Sequence, residues 1–184
     1  ILNYKFYIMK GLKLLLLSFC VAFAACSVQS PSVQVSDKGT KWSWDKGTIV
    51  VETPERPVGQ TSVIGLTAPK IEAVRVGFVG LGMRGPSAVE RFTYIPGVEI
   101  VALCDYEQER AEKCQRFLKK ASMPKAAVYS GEKGYEELCK RDDIDLVYIA
   151  TDWLHHFPVA VCAMENGKHV AIEVPSAMSL EECW

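Results

Sequence analysis

The chain has 184 residues, of which 49% are hydrophobic and 23% are charged, and its formal net charge at pH 7 is -1. This length allows one ordinary domain and little more, because single domains usually have about 100–200 residues. The balance of 21 basic and 22 acidic residues argues against a nucleic-acid partner, since nucleic-acid-binding proteins normally carry a basic excess. The apolar content can support a folded core, and the lack of long apolar runs excludes a multi-span membrane protein.

Residues 1–26 are predicted to contain a few upstream residues and a lipoprotein-type signal peptide. Lys10 and Lys13 form a positively charged start, and residues 14–25 form an apolar segment that is too short for a permanent membrane span. Small residues precede Cys26, which makes it the candidate lipidation site; the alternative is a simple cleaved signal. We therefore expect an exported protein, periplasmic or anchored in the outer membrane, that reaches the membrane through its lipid only.

Residues 27–72 are predicted to form a polar tether and an extended lead-in to the main domain. Residues 27–37 are rich in serine, glutamine and proline, as is typical of a flexible tether. Trp42, Trp44 and residues 48–51 are too apolar for a pure linker. They are expected either on the surface of this domain or against a further domain, and the sequence leaves that choice open.

The chain has seven cysteines, but their spacing predicts neither a CxxC pair nor a zinc site, and we expect no metal. Cys104, Cys114, Cys139 and Cys162 fall at apolar positions of predicted strands or helices. They are therefore interpreted as small buried hydrophobic residues.

From residue 73 onward, short β-rich runs alternate with amphipathic segments, and residues 73–184 are predicted to form one domain. Such alternation favours an α/β fold, a doubly wound parallel sheet with helices on both faces, as in Rossmann domains. The predicted strands are residues 74–79, 98–104, 128–129, 146–150 and 169–173, and the predicted helices are residues 88–92, 107–121, 135–141 and 157–166.

Residues 179–182 match a capping box that opens a helix, yet only two residues follow them. A helix that ends after one turn is not a natural terminus. We therefore expect the chain to be an N-terminal fragment that lacks its second, substrate-binding domain.

Three glycines in the segment GLGMRG follow the first predicted strand and open a helix. Gly80 permits a tight turn, Gly82 lets backbone amides approach a diphosphate, and Gly85 lets helix and strand pack closely. Asp105 closes the next strand, where its carboxylate would accept ribose hydroxyls and repel a 2′-phosphate. This arrangement predicts a dinucleotide site that prefers NAD to NADP; the alternative is a structural glycine turn that binds nothing.

Three further segments carry a family resemblance. Residues 150–156 (ATDWLHH), 167–170 (GKHV) and 173–175 (EVP) resemble the ATPNxxH…GKHVxxEKP signature of Gfo/Idh/MocA-type oxidoreductases. The chain departs from that signature at specific positions, since Asp152 replaces proline, Trp153 replaces asparagine and Val174 replaces the lysine. Together with the export signal and the loop sequence, it is most similar to glycoside hydrolase family 109, the NAD-dependent α-N-acetylgalactosaminidases.

The resemblance implies which residues bind the cofactor. For Trp153, a half-buried aromatic residue under a loop is the alternative, and Arg84 has the alternative of a solvated surface charge. Either histidine of the pair could instead cap a helix or face solvent, and the family pattern favours His156 as the one near the cofactor. The implied cofactor-binding residues are Met83, Arg84, Asp105, Trp153, Leu154, His155, His156, Glu173 and Val174.

The resemblance also implies the chemistry, a redox-assisted elimination. NAD oxidises C3 of an amino-sugar glycoside, the acidified C2 proton and the aglycone leave, water adds, and C3 is reduced again. The catalytic residues are expected in the missing domain, and a homo-oligomer is left open. One alternative is a sugar or cyclitol dehydrogenase of the same superfamily that transfers hydride to NAD. Another is a non-catalytic lipoprotein that binds NAD or a sugar.

Overall fold

The fold was obtained as a computed structural model. The structure describes residues 32–35, 39–52, 55 and 57–183. It forms two compact units, Ile1–Pro54 and Glu55–Trp184. In the described part of the chain, no helix is long and apolar enough to cross a membrane. The predicted signal peptide and Cys26 lie outside the described residues, so their interpretation stays a prediction.

The first unit contains a small antiparallel sheet within the predicted lead-in. Its strands are β1 (Gln34–Val35), β2 (Lys41–Asp45) and β3 (Thr48–Val51), paired in the order β1-β2-β3. Lys46 and Gly47 join β2 to β3 with positive φ values of 48° and 84°. Positive φ at both central residues matches the twist of paired strands and closes a two-residue hairpin. The predicted lead-in therefore contains a β-hairpin.

Trp42 and Trp44 lie two residues apart on β2 and thus on the same face of this sheet. Their rings are 6.5 Å apart in an edge-on arrangement. Trp42 pairs with Val51 and Trp44 with Ile49, so the face is apolar. The two tryptophans belong to a strand, which explains why they interrupt a polar segment.

The second unit is a five-stranded parallel sheet with helices on both faces, which confirms the predicted fold class. The strand order is β6-β5-β4-β7-β8. The strands are β4 (Val74–Val79), β5 (Val98–Asp105), β6 (Ala127–Ser130), β7 (Leu146–Ile149) and β8 (His169–Ile172). The helices are α1 (Gly85–Phe92), α2 (Gln108–Lys120), α3 (Gly134–Cys139), α4 (Trp153–Glu165) and α5 (Leu180–Cys183).

Two apolar cores cover the two faces of this sheet. Because successive side chains of a strand point to opposite faces, Phe78 packs in one core and its neighbour Val79 in the other. Leu118 of α2 joins Phe78, whereas Leu138 of α3 joins Val79. Both cores consist of fully buried residues, so the central strands read as continuous apolar runs.

Strand β4 lies between β5 and β7, so the chain leaves it first in one direction and later in the other. In open parallel sheets, a crevice forms at the carboxyl ends of the strands where the order reverses. The carboxyl ends of β4, β5 and β7 are occupied by the glycine loop, Asp105 and the start of α4. The topology therefore brings three separate sequence motifs together at the carboxyl ends of the strands.

The start of α4 differs from the sequence-based prediction, which placed it at residue 157. The helix begins at Trp153, because Asp152 caps it: the Asp152 carboxylate accepts a hydrogen bond from the Leu154 amide at 3.0 Å. Pro158 lies inside the helix rather than near its start. The sequence-based prediction did not include the cap at Asp152.

The predicted cap at Ser179 is present at α5, but its second hydrogen bond differs from a standard capping box because its donor is the Met178 amide and not the Ser179 amide. The Ser179 hydroxyl accepts the Glu182 amide at 3.3 Å, and the Glu182 carboxylate accepts the Met178 amide at 2.6 Å. The cysteines also follow expectation, since Cys104, Cys114 and Cys139 are buried. Cys162 is only partly buried. Among the described residues, no group of side chains suits a metal ion.

An ion pair links β4 to β7 at the amino ends of these strands, opposite the crevice. The Arg75 guanidinium donates to both oxygens of Asp145, at 2.7 and 2.9 Å, and the Arg75 amide donates to one of them at 2.9 Å. These hydrogen bonds lower the pKa of the Asp145 carboxyl to about 2, although partial burial opposes the shift. The pair therefore stabilises the folded state wherever Asp145 is ionised.

We expect Asp145→Asn to lower the free energy of unfolding by about 1–2 kcal/mol at neutral pH. The pKa is lower in the folded than in the unfolded chain, so this stabilisation is present above about pH 4 and is lost as pH falls towards about 2. Urea denaturation at neutral and at acidic pH measures it, with the exposed neighbour variant Asp142→Asn as control. An Asp145→Asn deficit that persists unchanged in acid would contradict the assignment.

Candidate functional site

The glycine loop between β4 and α1 is tightly folded. Gly80 has a φ of 91°, and its amide donates to the Cys104 carbonyl at 2.9 Å. A Cβ at Gly80 would lie 2.5 Å from the backbone carbonyl carbon of Ala150, and a Cβ at Gly85 would collide with the Gly80 carbonyl oxygen. Both glycines are therefore required by backbone contacts, and Gly85 brings α1 against the end of β4.

Gly82 is different, because its side-chain position is open. A Cβ there would meet only the Arg110 guanidinium, at 3.5 Å, which is an ordinary contact distance. The missing side chain leaves the loop backbone accessible beside the first turn of α1, where amides have no intrahelical acceptor. Pro86 occupies the first turn, and no side chain caps the helix at Arg84. This open amide-lined position suits the diphosphate of a dinucleotide.

Asp105 is only 6% exposed and ties this loop to the end of β5. One carboxylate oxygen accepts the Leu81 amide at 2.6 Å, and the other accepts the Glu107 amide at 3.0 Å. Because a carboxylate oxygen can accept more than one hydrogen bond, both retain capacity for a ligand hydroxyl. Asp105 thus has a structural contact that the sequence did not predict, and its ribose contact stays a prediction.

Arg110 was missed by the sequence analysis and lies beside this carboxylate. Its guanidinium is 3.6 Å from Asp105 and 3.0 Å from Glu107. It lies on the first turn of α2, five residues after the end of β5, and contacts the Gly82 position. In the sequence, Arg110 is marked only by its place in the first turn of the helix that follows Asp105. Such an arrangement is too common to identify one arginine as a site residue.

The two adjacent histidines have different environments. His156 is 1% exposed, and its ring nitrogens face the Pro175 carbonyl at 2.6 Å and the Thr151 carbonyl at 3.1 Å. It therefore joins the start of α4 to the loop after β8. The side chain of His155 is 56% exposed, and its Nδ1 lies 2.7 Å from the Asp152 carboxylate.

Asp152 has two roles at the same time. Its carboxylate caps α4 through the Leu154 amide and also holds His155. Desolvation raises the pKa of this carboxyl, but the hydrogen bonds from His155 and the Leu154 amide lower it below its ordinary value. Asp152 replaces the proline of the family signature, and the cap explains what the substitution provides.

Glu173 follows β8 and is oriented by a residue that the sequence analysis did not select. The Tyr148 hydroxyl of β7 donates to the Glu173 carboxylate at 2.6 Å. Burial and this hydrogen bond raise the pKa of Tyr148, so the hydroxyl keeps its proton. Val174, the next residue, is 84% exposed at the cleft.

These groups line one cavity of about 880 Å³ at the carboxyl edge of the sheet. Of the predicted residues, Gly85 and Leu154 do not line the cavity. Tyr106, Arg110 and Tyr135 line it without having been predicted. The predicted residues that the fold brings together here are Gly80, Gly82, Met83, Arg84, Asp105, Trp153, His155, His156, Glu173 and Val174.

Residues 74–184 match the family described as GFO_IDH_MocA, "Oxidoreductase family, NAD-binding Rossmann fold". The chain belongs to this family. The match covers all five strands of the parallel sheet and the cleft. It confirms the predicted resemblance and the predicted NAD-binding domain.

The curated relatives bear the name of a glycosidase family. "Glycosyl hydrolase family 109 protein 4" of Phocaeicola vulgatus is 75% identical over 177 residues, covering 96% of this chain and 34% of the relative. "Glycosyl hydrolase family 109 protein 1" of Bacteroides thetaiotaomicron is 56% identical over 174 residues, covering 94% of this chain and 36% of the relative. The chain therefore spans about a third of the length of these relatives.

Solved structures support the same fold. The crystal structure of myo-inositol dehydrogenase from Lactobacillus casei, in complex with NAD(H) and myo-inositol, superposes with a TM-score of 0.52. It is 29% identical, and the match covers 60% of this chain and 31% of that one. A protein solved with NAD(H) thus shares the architecture of the second unit.

Gly82→Ala tests the open position of the loop. The alanine Cβ has room in the protein alone, so we expect an unchanged unfolding temperature. It would occupy the space predicted for the diphosphate beside the amides, so the affinity for NAD should fall at least about 10-fold. Calorimetric titration measures this, with Ser87→Ala on the exposed side of α1 as control. If Gly82→Ala bound NAD with wild-type affinity, this would contradict the predicted position of the diphosphate at this loop.

Proposed function

We propose that this chain is the NAD-binding part of a glycosidase that hydrolyses α-N-acetylgalactosaminides. The observation that carries the proposal is the similarity to glycosyl hydrolase family 109 proteins, with 75% identity to one of them, across nearly the whole chain. This similarity includes the glycine loop and the segments that line the cleft. The reaction of such a glycosidase requires a firmly held dinucleotide. The cleft would be the site that holds it.

Different residues along the cleft would bind different parts of the cofactor. Backbone amides near Gly82 and the charge of Arg84 would bind the diphosphate, which is doubly anionic. Asp105 would accept hydroxyls of the adenosine ribose, and Arg110 beside it balances the buried carboxylate. On the other side of β4, Trp153 and Glu173 would enclose the nicotinamide half. Bound NAD would supply a reversible oxidation of the sugar, which acidifies the neighbouring C–H group for elimination of the aglycone.

Val174 departs from the signature of the resembled superfamily. Most members of the resembled superfamily have a lysine at this position, which transfers a proton at the alcohol that is oxidised. No lysine is among the described residues that line the cavity. Oxidation of the sugar alcohol requires a proton acceptor in either reaction, so without this lysine the acceptor would have to be another group. Substrate-binding and catalytic residues would then come from the rest of the complete protein.

The complete protein should release N-acetylgalactosamine from an aryl α-glycoside without added NAD and without accumulation of NADH. Elimination requires removal of the C2 proton, so substrate deuterated at C2 should yield a product that has lost the label to water. Gly82→Ala in the complete protein serves as the cofactor-deficient comparison.

Stoichiometric NADH formation in this assay would support the dehydrogenase instead. NAD binding without any turnover would support the non-catalytic alternative. Release of the sugar with full retention of the C2 label would contradict the proposed elimination.

We also propose that the complete protein is exported and anchored by a lipid on Cys26, which its signal-like first 26 residues support. Labelling with radioactive palmitate in a bacterial host should modify the wild type and Cys20→Ala but not Cys26→Ala. Equal labelling of all three would contradict attachment at Cys26.

A further inference from the structure

Asp152 makes more contacts than a helix cap needs. A capping residue satisfies free amides of the first turn with its side-chain oxygen, and here Asp152 Oδ1 accepts the Leu154 amide at 3.0 Å. The same carboxylate also lies 2.9 Å from His155 Nδ1 through Oδ1 and 2.7 Å through Oδ2. Serine or asparagine would cap the helix equally well, so capping does not account for the second set of contacts.

The contact determines which ring nitrogen of His155 carries a proton. An ionised carboxylate only accepts hydrogen bonds, so Nδ1 must donate to it. In the neutral ring, Nε2 is then left as an acceptor, as in other carboxylate–imidazole pairs. Asp152 therefore fixes the tautomer of a neighbouring side chain that is 56% exposed at the mouth of the cleft.

The hydrogen bonds of the adjacent His156 differ from those of His155. His156 is buried, and both of its ring nitrogens face backbone carbonyls within the protein. His155 lines the same cavity, but only its Nδ1 has a hydrogen-bond partner among the described residues. The first histidine of the pair thus presents a free acceptor on the β7 side of the cleft, where sugar hydroxyls would lie.

We propose that Asp152 is a positioning residue that holds His155 with Nε2 ready to accept a hydrogen bond from a sugar hydroxyl. The inference rests on the proposed function, because the hydroxyl belongs either to the nicotinamide ribose or to the substrate sugar. Both sources offer the same chemistry, a hydroxyl on a saturated ring, and binding experiments separate them.

Asp152→Asn is the decisive variant. Asparagine caps a helix as well as aspartate, so the unfolding temperature should not change. Its amide oxygen would accept the Leu154 amide, leaving the NH₂ group to donate to His155 Nδ1. The ring then carries its proton on Nε2 and loses the acceptor. Nitrogen-15 NMR of the histidine ring should show an Nδ1–H tautomer in the wild type and an Nε2–H tautomer in Asp152→Asn.

The affinity for NAD gives the second readout. Loss of one acceptor should weaken NAD binding about 3- to 10-fold in Asp152→Asn if the hydroxyl belongs to the ribose. If it belongs to the substrate, NAD affinity stays constant and KM of the complete protein rises by a similar factor. Glu109→Gln removes an equal charge from the exposed side of α2 and should change neither quantity.

A double-variant cycle shows whether Asp152 acts through His155. The amide of His155→Gln reaches the position of Nε2 and keeps an acceptor there without help from residue 152. Asp152→Asn should then have no further effect in that background.

The proposal is overturned if the wild-type ring is an Nε2–H tautomer, or if Asp152→Asn changes neither NAD affinity nor KM. Failure of the wild-type chain to bind NAD would overturn the proposed function instead. The tautomer measurement needs no ligand and would still decide the positioning role.

Discussion

The hydrogen bond from the Leu81 amide to the buried Asp105 carboxylate is the contact on which the site depends. It ties the glycine loop after β4 to the end of the neighbouring strand β5. The same carboxylate holds the Glu107 amide before α2, so one side chain sets both loops on this side of the cleft. A buried charge that lost these donors would be strongly unfavourable, so the two hydrogen bonds stabilise the observed conformation of the loop.

The opposite side of the cleft is fixed by different means. His156 joins the start of α4 to the loop after β8, and Tyr148 orients Glu173 from beneath. Both side chains fix the shape of the cleft without having to contact a ligand. The cleft is thus formed by buried polar contacts behind its surface, while Trp153 and Val174 line it as exposed residues.

Local pattern in the sequence was enough to predict the sheet and the glycine loop, but not the side chains that act across the fold. Alternating apolar runs indicated the parallel strands, and the glycine spacing indicated the loop, since both depend on backbone geometry. The earlier start of α4 was missed because the cap at Asp152 was not recognised. Arg110 and Tyr148 were missed because no spacing rule connects them to the carboxylates that they contact at the ends of neighbouring strands.

The central claim is that this cleft binds NAD with its diphosphate on the glycine loop and its adenosine ribose on the Asp105 side. Calorimetric titration of the purified chain with NAD and with NADP tests it most directly. The account predicts saturable binding of NAD and at least about 10-fold weaker binding of NADP, because the carboxylate repels a 2′-phosphate. No binding of NAD, or a preference for NADP, would contradict it.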